Sequence, residues 1–387
     1  MHRLQLHYTL GRDLGNPTVR NPLIDLLQAL SAHGSISAAA RAMGLSYRHV
    51  WGELKRWEDA LGNGLVLWEK GQSARLTPFG TKLMWAERQA QARLAPQIDA
   101  LRNELERVFA VAFDPQAHVL TLYASHDHAL AALREHAMAG SDDPGPPRDP
   151  LHLDIRFCGS VDAIRALNEG RCSIAGFHTL QTAQPGSLAQ RTYKPLLRPG
   201  RHKIIGFAQR TQGLIVARGN PLQLQSLQDV VLRAARYVNR APGTGTRVVL
   251  DELLLGAALE PAALAGYGHT EPSHAAVAQS IASGSADVGL GIAMAARAQG
   301  LDFVPLVQER YFLVCLKSAL EQPATRALLA VLRSDAWRAK LDAMAGYQES
   351  RCGEVLSLRE CLPWWTFRPR RSESPRTGGP RLAGRSA

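Results

Sequence analysis

Residues 34–62 read GSISAAARAMGLSYRHVWGELKRWEDALG, and the fold of the first hundred residues turns on them. Small Ala39 and Ala40 allow two helices to approach closely, and Gly44 supplies the tight turn between them. Val50, Leu54, Trp57 and Leu61 fall in one narrow stripe at helical spacing, a buried face. The opposite face carries Arg48, His49, Gly52, Lys55 and Arg56. A helix that starts at Ser46 with a basic, hydrogen-bonding face fits a major groove. A helical hairpin with a merely solvated charged face is the bland alternative. The next stretch weighs against it: LVLWEKGQSARLTP alternates apolar and polar residues around Gly71, the pattern of a β-hairpin. Together they predict a winged helix-turn-helix.

Upstream, Asn21-Pro22 opens a helix whose Leu23, Leu26, Leu27 and Leu30 repeat at helical spacing until Gly34. Downstream, residues 78–110 predict one long helix that Pro96 is expected to kink. Its stripe of Leu83, Leu94, Ile98, Leu101, Leu105 and Phe109 needs a partner, and a two-fold dimer is the economical one.

The chain has 387 residues, 45% of them apolar, enough for two or three domains. Net charge is +11, which suits a polyanionic partner. It is concentrated at the ends. Residues 1–110 hold 14 Lys/Arg against 10 Asp/Glu, and residues 367–387 hold six Arg against one acid, so the bulk between them is nearly neutral. Five scattered cysteines show no metal-ligand spacing and fit a reducing compartment. The N-terminus has no apolar signal core, and no run approaches membrane-spanning length. A soluble, cytoplasmic protein without membrane contact is expected.

From about residue 117 strands and helices alternate to about Ala345, the pattern of an α/β domain with a mostly parallel sheet. SVDAIRALNEG-RCSIAGFH (160–178) and HAAVAQSIASG-SADVGLGI (274–292) share one shape: an apolar helix, a glycine, then a short strand. Two such copies suggest two similar lobes, with chance similarity as the competing reading. Four segments place a hydroxyl or imidazole at a strand-to-helix junction: Ser125-His126, Gly159-Ser160, Thr244-Gly245-Thr246 and Ser273-His274. Helix starts offer free N–H groups and partial positive charge, so four of them around one cleft make an anion site. Neutral donors suffice for a small oxyanion, in keeping with the near-neutral charge. Ordinary helix capping is the competing reading for any one junction. Within NRAPGTGTR (239–247), Arg240 and Arg247 could neutralise the anion or pair with acids at the surface. The glycine and lysine spacings of nucleotide loops are absent. The adjacent letters Ser125-His126-Asp127 do not make a catalytic triad, whose members converge from different segments. No catalytic residue and no metal site is expected.

Residues 20–95 resemble the DNA-binding domain of ModE-type molybdate-responsive regulators and, more distantly, LysR-type regulators. The likeness rests on SISAAARAMGLSYRHVWGELKRWEDALG and the ending LVLWEKGQSARLTPFG. It implies that Ser46, Tyr47, Arg48 and His49 lie nearest base edges of double-stranded DNA. It further implies that Lys55, Arg56, Lys70 and Arg75 meet phosphates, with a wing at 71–75 and dimerisation through the next helix. Tyr47 sits at the edge of the buried stripe and is ambiguous. Residues 117–345 resemble the periplasmic-binding-protein fold of molybdate-binding proteins, through YASHDHAL, FCGSVDAIRALNEG, NRAPGTGTR and HTEPSHAAVAQSIASGSADVGLGI.

The expected architecture is therefore α+β and multidomain. A winged helix-turn-helix (1–85) leads through a linker and dimerisation helix (78–113) to a two-lobed α/β ligand-sensing domain of type II periplasmic-binding-protein kind (117–350). A disordered basic tail (367–387) ends it. The expected function is a one-component transcriptional regulator that binds DNA as a homodimer or higher homo-oligomer. It senses a small anion, molybdate or tungstate by resemblance, through Ser125, His126, Ser160, Thr244, Gly245, Thr246 and His274. No cofactor is expected. The alternatives are the same regulator with a different effector, or an intracellular oxyanion-binding protein.

Overall fold

The structure is a computed structural model that describes residues 21–67, 74–113, 118–138, 151–182 and 184–365. The tail at 367–387, the expected wing tip and Lys70 lie outside these residues.

The N-terminal unit is built as its sequence directs. Helix α1 (Pro22–His33) starts with Asn21 accepting from the Leu23 N–H at 3.0 Å and ends at Gly34 in the left-handed region. Helices α2 (Ile36–Ala42) and α3 (Tyr47–Leu61) follow. A two-stranded hairpin of β1 (Val66–Leu67) and β2 (Arg75–Leu76) pairs Val66 with Leu76. Leu27, Leu30, Ala40, Val50, Leu54, Leu65 and Met84 form one buried cluster, with Trp57 and Leu61 packed against it.

Glu58 was not part of the expected stripe, yet it is buried there. Its carboxylate accepts from the backbone N–H of Leu65 (2.7 Å) and Val66 (3.1 Å) and from Lys55 Nζ (2.9 Å). One helix side chain thereby fixes where the hairpin begins. Burial pushes this carboxyl up, but those hydrogen bonds outweigh it and leave it below its ordinary value of 4.5. Helix α4 (Pro78–Phe113) begins where Thr77 Oγ1 accepts from Gly80 N at 2.9 Å. Gly80 is required there: a Cβ would lie 2.4 Å from the Leu65 carbonyl oxygen.

The second unit is one ten-stranded sheet with helices packed on it. Its first part is β3 (His118–Ala124), α5 (His128–Met138), β4 (Leu151–Phe157), α6 (Ser160–Asn168), β5 (Ile174–Leu180) and α7 (Leu188–Tyr193). The long strand β6 (His202–Val216) then crosses into α8 (Leu227–Leu232), β7 (Tyr237–Arg240), α9 (Gly245–Gly256), β8 (Thr270–Glu271), α10 (His274–Ala282), β9 (Val288–Ile292) and α11 (Ala293–Ala298). A second long strand, β10 (Asp302–Leu316), returns the chain to α12 (Pro323–Arg333), α13 (Asp335–Asp342), β11 (Tyr347–Glu349), β12 (Val355–Leu356) and α14 (Leu358–Cys361). Past residue 350, Leu356, Leu358, Leu362 and Trp364 still pack into the core of the first lobe.

The strand order is β4-β3-β5-β10-β6-β9-β7-β8. Pairing among β3, β4 and β5 and among β7, β8 and β9 is parallel, as alternation implied, while the short β11 and β12 lie antiparallel to β6. The centre differs: β10 lies antiparallel to β5 and to β6, and β6 antiparallel to β9. Two 15-residue strands thus cross from lobe to lobe, and they make the sheet mixed rather than mostly parallel. The sequence echo is real in space. Each copy is a helix followed by a strand, α6–β5 in the first lobe and α10–β9 in the second. The lobes also share core: one apolar cluster runs from Leu120, Leu130 and Leu153 to Val277, Ile281 and Ala296.

Candidate functional site

The two lobes touch at the predicted junctions. Val161 N, at the start of α6, donates to Gly243 O at 3.4 Å. The loop before α9 presses on the end of β5 so closely that a Cβ on Gly245 would sit 2.5 Å from the His178 ring. Thr246 Oγ1 lies 3.4 Å from His274 Nε2 and accepts from Gln212 Nε2 at 3.1 Å. Gln212 Nε2 also donates to Glu309, whose carboxylate lies 3.5 Å from His178 Nδ1. Thr246, His274, Gln212, Glu309 and His178 are all buried.

The predicted residues divide. Thr246 and His274 line the cluster. Ser125 and Ser160 are buried; the Ser125 hydroxyl has no hydrogen-bond partner among the described residues, and Ser160 has the Tyr193 phenol next to it. Thr244 caps α9, donating to Ala241 O at 2.8 Å and accepting from Arg247 N at 3.4 Å. His126 turns outward: its Nε2 lies 3.4 Å from Asp99 on α4, and its ring rests on Phe157.

The two arginines left open by the sequence separate as well. Arg247 holds Asp251 at 3.1 Å and stacks on Tyr267. Arg240 is 2% exposed, and its Nε and Nη1 have no partner among the described residues. Burial, then repulsion from Arg210, pulls its pKa down to about 9, so it remains charged at neutral pH. Burial, reinforced by Arg240 and Arg210, holds His178 and His274 well below their ordinary value, so both imidazoles are neutral. Both His178 nitrogens and His274 Nδ1 lack a hydrogen-bond partner among the described residues.

Sequence reading missed the rest. Arg210 joins Asp127 and Glu309 in a fully buried ion triad, and Tyr347 donates to Asp127 at 2.7 Å. Burial alone would lower the Arg210 pKa, but the two carboxylates raise it well above its ordinary value. The site is therefore not made of neutral donors alone. The signal lay in the long strands, where AQRTQG (208–213) and VQER (307–310) set polar residues between apolar runs. Among the described residues no group of His, Cys, Asp and Glu could hold a metal ion.

Helix α4 straps this domain across both lobes. In the first, Asn103 Nδ2 donates to Ile155 O at 2.6 Å. In the second, Arg93 grips Glu271 through Nε (2.9 Å) and Nη2 (2.7 Å), and Ser273 Oγ donates to Ala92 O at 3.3 Å.

At the other end, residues 44–49 are exposed at the start of α3, which puts Tyr47, Arg48 and His49 on the surface and resolves the ambiguity over Tyr47. Ser46 Oγ accepts from His49 N at 3.1 Å and so caps the helix. Trp51, which the sequence did not single out, is 43% exposed on the same face. Lys55 and Arg56 pair with Glu58 and Glu53 within the helix, while Arg75 is exposed on the hairpin. No helix among the described residues is long and apolar enough to cross a membrane.

These two surfaces define a regulatory helix-turn-helix joined to a binding-protein-like domain. Residues 23–81 match the family "Bacterial regulatory helix-turn-helix protein, lysR family", and residues 147–333 match the PBP superfamily domain. The chain thus joins a segment that matches a lysR-type helix-turn-helix to one that matches a PBP-like domain. It is 33% identical over 201 residues to the uncharacterised protein YvgK of Bacillus subtilis (strain 168), covering 52% of this chain and 64% of that one. The chain thus spans less than two thirds of that relative. A Clostridium pasteurianum protein encoded in the 5′ region of a ferredoxin 2Fe-2S gene is 32% identical over 111 residues, 28% of this chain and 98% of that one. The molybdenum-pterin-binding protein MopB of Rhodobacter capsulatus is 35% identical over 86 residues, 21% of this chain and 32% of that one. Among solved structures, CbnR, a LysR family transcriptional regulator, aligns over 80% of this chain and 98% of its own at 17% identity and a TM-score of 0.37.

Proposed function

We propose that this chain is a cytoplasmic, DNA-binding transcriptional regulator whose α/β domain (residues 117 to about 365) senses a small anion. The observation that carries the sensor reading is Arg240: a buried guanidinium with no carboxylate partner among the described residues, beside neutral histidines whose ring nitrogens lack partners among those residues. Burying an unpaired charge is costly, so such a group marks a place where a charge partner binds. Thr246, His274, Ser125, Ser160 and the Gly245 N-terminus of α9 are the further ligand-binding residues in this reading. Thr244 supports them by holding its loop. Molybdate and tungstate are the first effectors to test, supported by the resemblance to molybdate-responsive regulators and the partial likeness to MopB.

DNA binding is assigned to the exposed start of α3. In this reading Tyr47, Arg48 and His49 meet base edges, and Lys55, Arg56, Lys70 and Arg75 meet phosphates. Leu94, Leu101 and Val108 recur every seven residues on α4 and are all exposed, which supports dimerisation through that helix. Helix α4 is also the route from sensor to DNA. It bonds to Glu271 and Ser273, next to His274, and to His126, next to Ser125, so a shift between lobes at the site moves the strap.

Calorimetric titration with molybdate, tungstate, sulfate and formate tests the sensor. Heat from an oxyanion at one site per chain is expected; no heat from any of them sinks the anion assignment and leaves DNA binding standing. A gel-shift series over salt tests the other half. Absence of salt-dependent duplex binding would leave only the reading as an oxyanion-binding protein.

A further inference from the structure

Given the reading of the Arg240 cluster as an anion site, Glu309 raises a problem of charge. Glu309 is fully buried where β10 crosses β6. One oxygen, Oε1, takes Arg210 and Gln212 and lies 3.5 Å from His178 Nδ1; the other, Oε2, has no partner among the described residues. The charged and titratable groups around it are His178 on β5, Tyr193 on α7, Arg210 on β6, Asp127 before α5, Tyr311 on its own strand, and Tyr347 on β11 behind Asp127, while Arg240 on β7 and His274 on α10 act on His178 and Arg210 beside it. Two guanidinium and two carboxylate groups formally cancel, and the imidazoles are neutral. A dianion brought in here would leave two uncompensated negative charges away from water. It would also meet a free carboxylate oxygen that repels it.

We propose that the site takes up its dianion together with one proton from solvent, which is held by the Glu309 carboxyl in contact with His178. The proton removes one negative charge and turns Oε2 from a repelling acceptor into a donor to the anion. Glu309 then determines specificity, because it admits a fully deprotonated oxyanion only as a proton-coupled pair. Burial already favours the neutral form of this carboxyl. His178 Nδ1 lies 3.5 Å from Glu309 Oε1, but its burial keeps the imidazole neutral, so the proton resides on the carboxyl. Arg240 stays charged near pH 7 and cannot be the group that takes it up.

The test is calorimetric titration of the full chain with sodium molybdate, tungstate or sulfate at pH 7, in buffers of different ionisation enthalpy. The slope of observed heat against that enthalpy counts protons. About one proton taken up per anion is expected for the wild type, with affinity falling towards tenfold per pH unit above pH 7. At whatever affinity remains, Glu309→Gln is expected to show a slope near zero. A wild-type slope of zero overturns this inference and leaves the anion site intact, and so does a full proton retained in Glu309→Gln. No heat from any of the three, nor from formate, overturns the underlying anion reading instead, and heat from formate alone overturns this inference while leaving that reading. Should Glu309→Gln fail to fold, the wild-type slope and pH dependence decide alone.

Discussion

Arg93 on the linker helix and Glu271 on the second lobe are joined by two hydrogen bonds, 2.9 Å from Nε and 2.7 Å from Nη2. The Glu271 side chain is fully buried and also accepts from Gln89 and Ser280. Paired guanidinium–carboxylate geometry of this kind fixes orientation as well as proximity. It fastens the strap three residues from His274.

Glu271→Gln keeps the shape and removes the charge. The expected result is a loss of about 1–3 kcal/mol of stability, together with loss of any anion effect on DNA affinity. Thermal melting and anisotropy with and without anion check the two parts. A full anion response in a destabilised variant would show that this bridge is structural only.

Glu58 makes the DNA-binding unit acid-sensitive. Its pKa is lower folded than unfolded, so its contribution is present above the unfolded value and is lost as pH falls through the folded one. Weakening of the hairpin is expected below about pH 4.5, and Glu58→Gln is expected to remove that part of the pH dependence while lowering stability by about 1 kcal/mol. Melting curves of both proteins between pH 3 and 7 provide the comparison.

Leu101 projects from α4 with 52% of its surface exposed, midway between Leu94 and Val108. If that row is the dimer seam, Leu101→Glu puts two like charges into an apolar contact. Sedimentation is then expected to show a monomer at concentrations where the wild type is a dimer. Identical sedimentation of the two would reassign the row to ordinary surface.

Arg48 and Arg75 test the division between reading and anchoring. Arg48→Ala is expected to cost about 1–3 kcal/mol and to relax base preference at one position. For Arg75→Ala, weaker binding to all duplexes and a salt slope smaller by about one are expected. Binding selections for the first and salt titrations for the second separate the roles.

Much of this was legible in the sequence because it is local. Asn21, Ser46, Thr244 and Ser273 cap the helices they precede, and the run Leu76-Thr77-Pro78-Phe79-Gly80 encodes a hydroxyl cap and a glycine that a neighbouring carbonyl demands. Both copies of the helix–strand echo fold as that shape. What stayed hidden is non-local. Arg210, Gln212 and Glu309 show in the sequence only as polar residues inside apolar strands, and it takes antiparallel pairing of strands a hundred residues apart to bring them to Asp127 and His178. Glu58 was hidden for the same reason: a charged residue one step off an apolar stripe reads as surface until the hairpin folds back onto it. Ser125 and His126 are neighbours in sequence, yet Ser125 is buried with its hydroxyl unpartnered among the described residues while His126 lies against Asp99 of α4, a divergence the letters alone do not encode.

The most direct test of the central claim is one comparison of DNA affinity. A duplex enriched by the protein from a random pool is titrated by fluorescence anisotropy, with and without the oxyanion that gives calorimetric heat, for the wild type and Arg240→Gln. The account predicts at least a fivefold change in wild-type affinity on adding the anion, the scale of an ordinary allosteric coupling, and no change in Arg240→Gln. A wild-type affinity that ignores the anion, or an Arg240→Gln response equal to the wild type's, would contradict it.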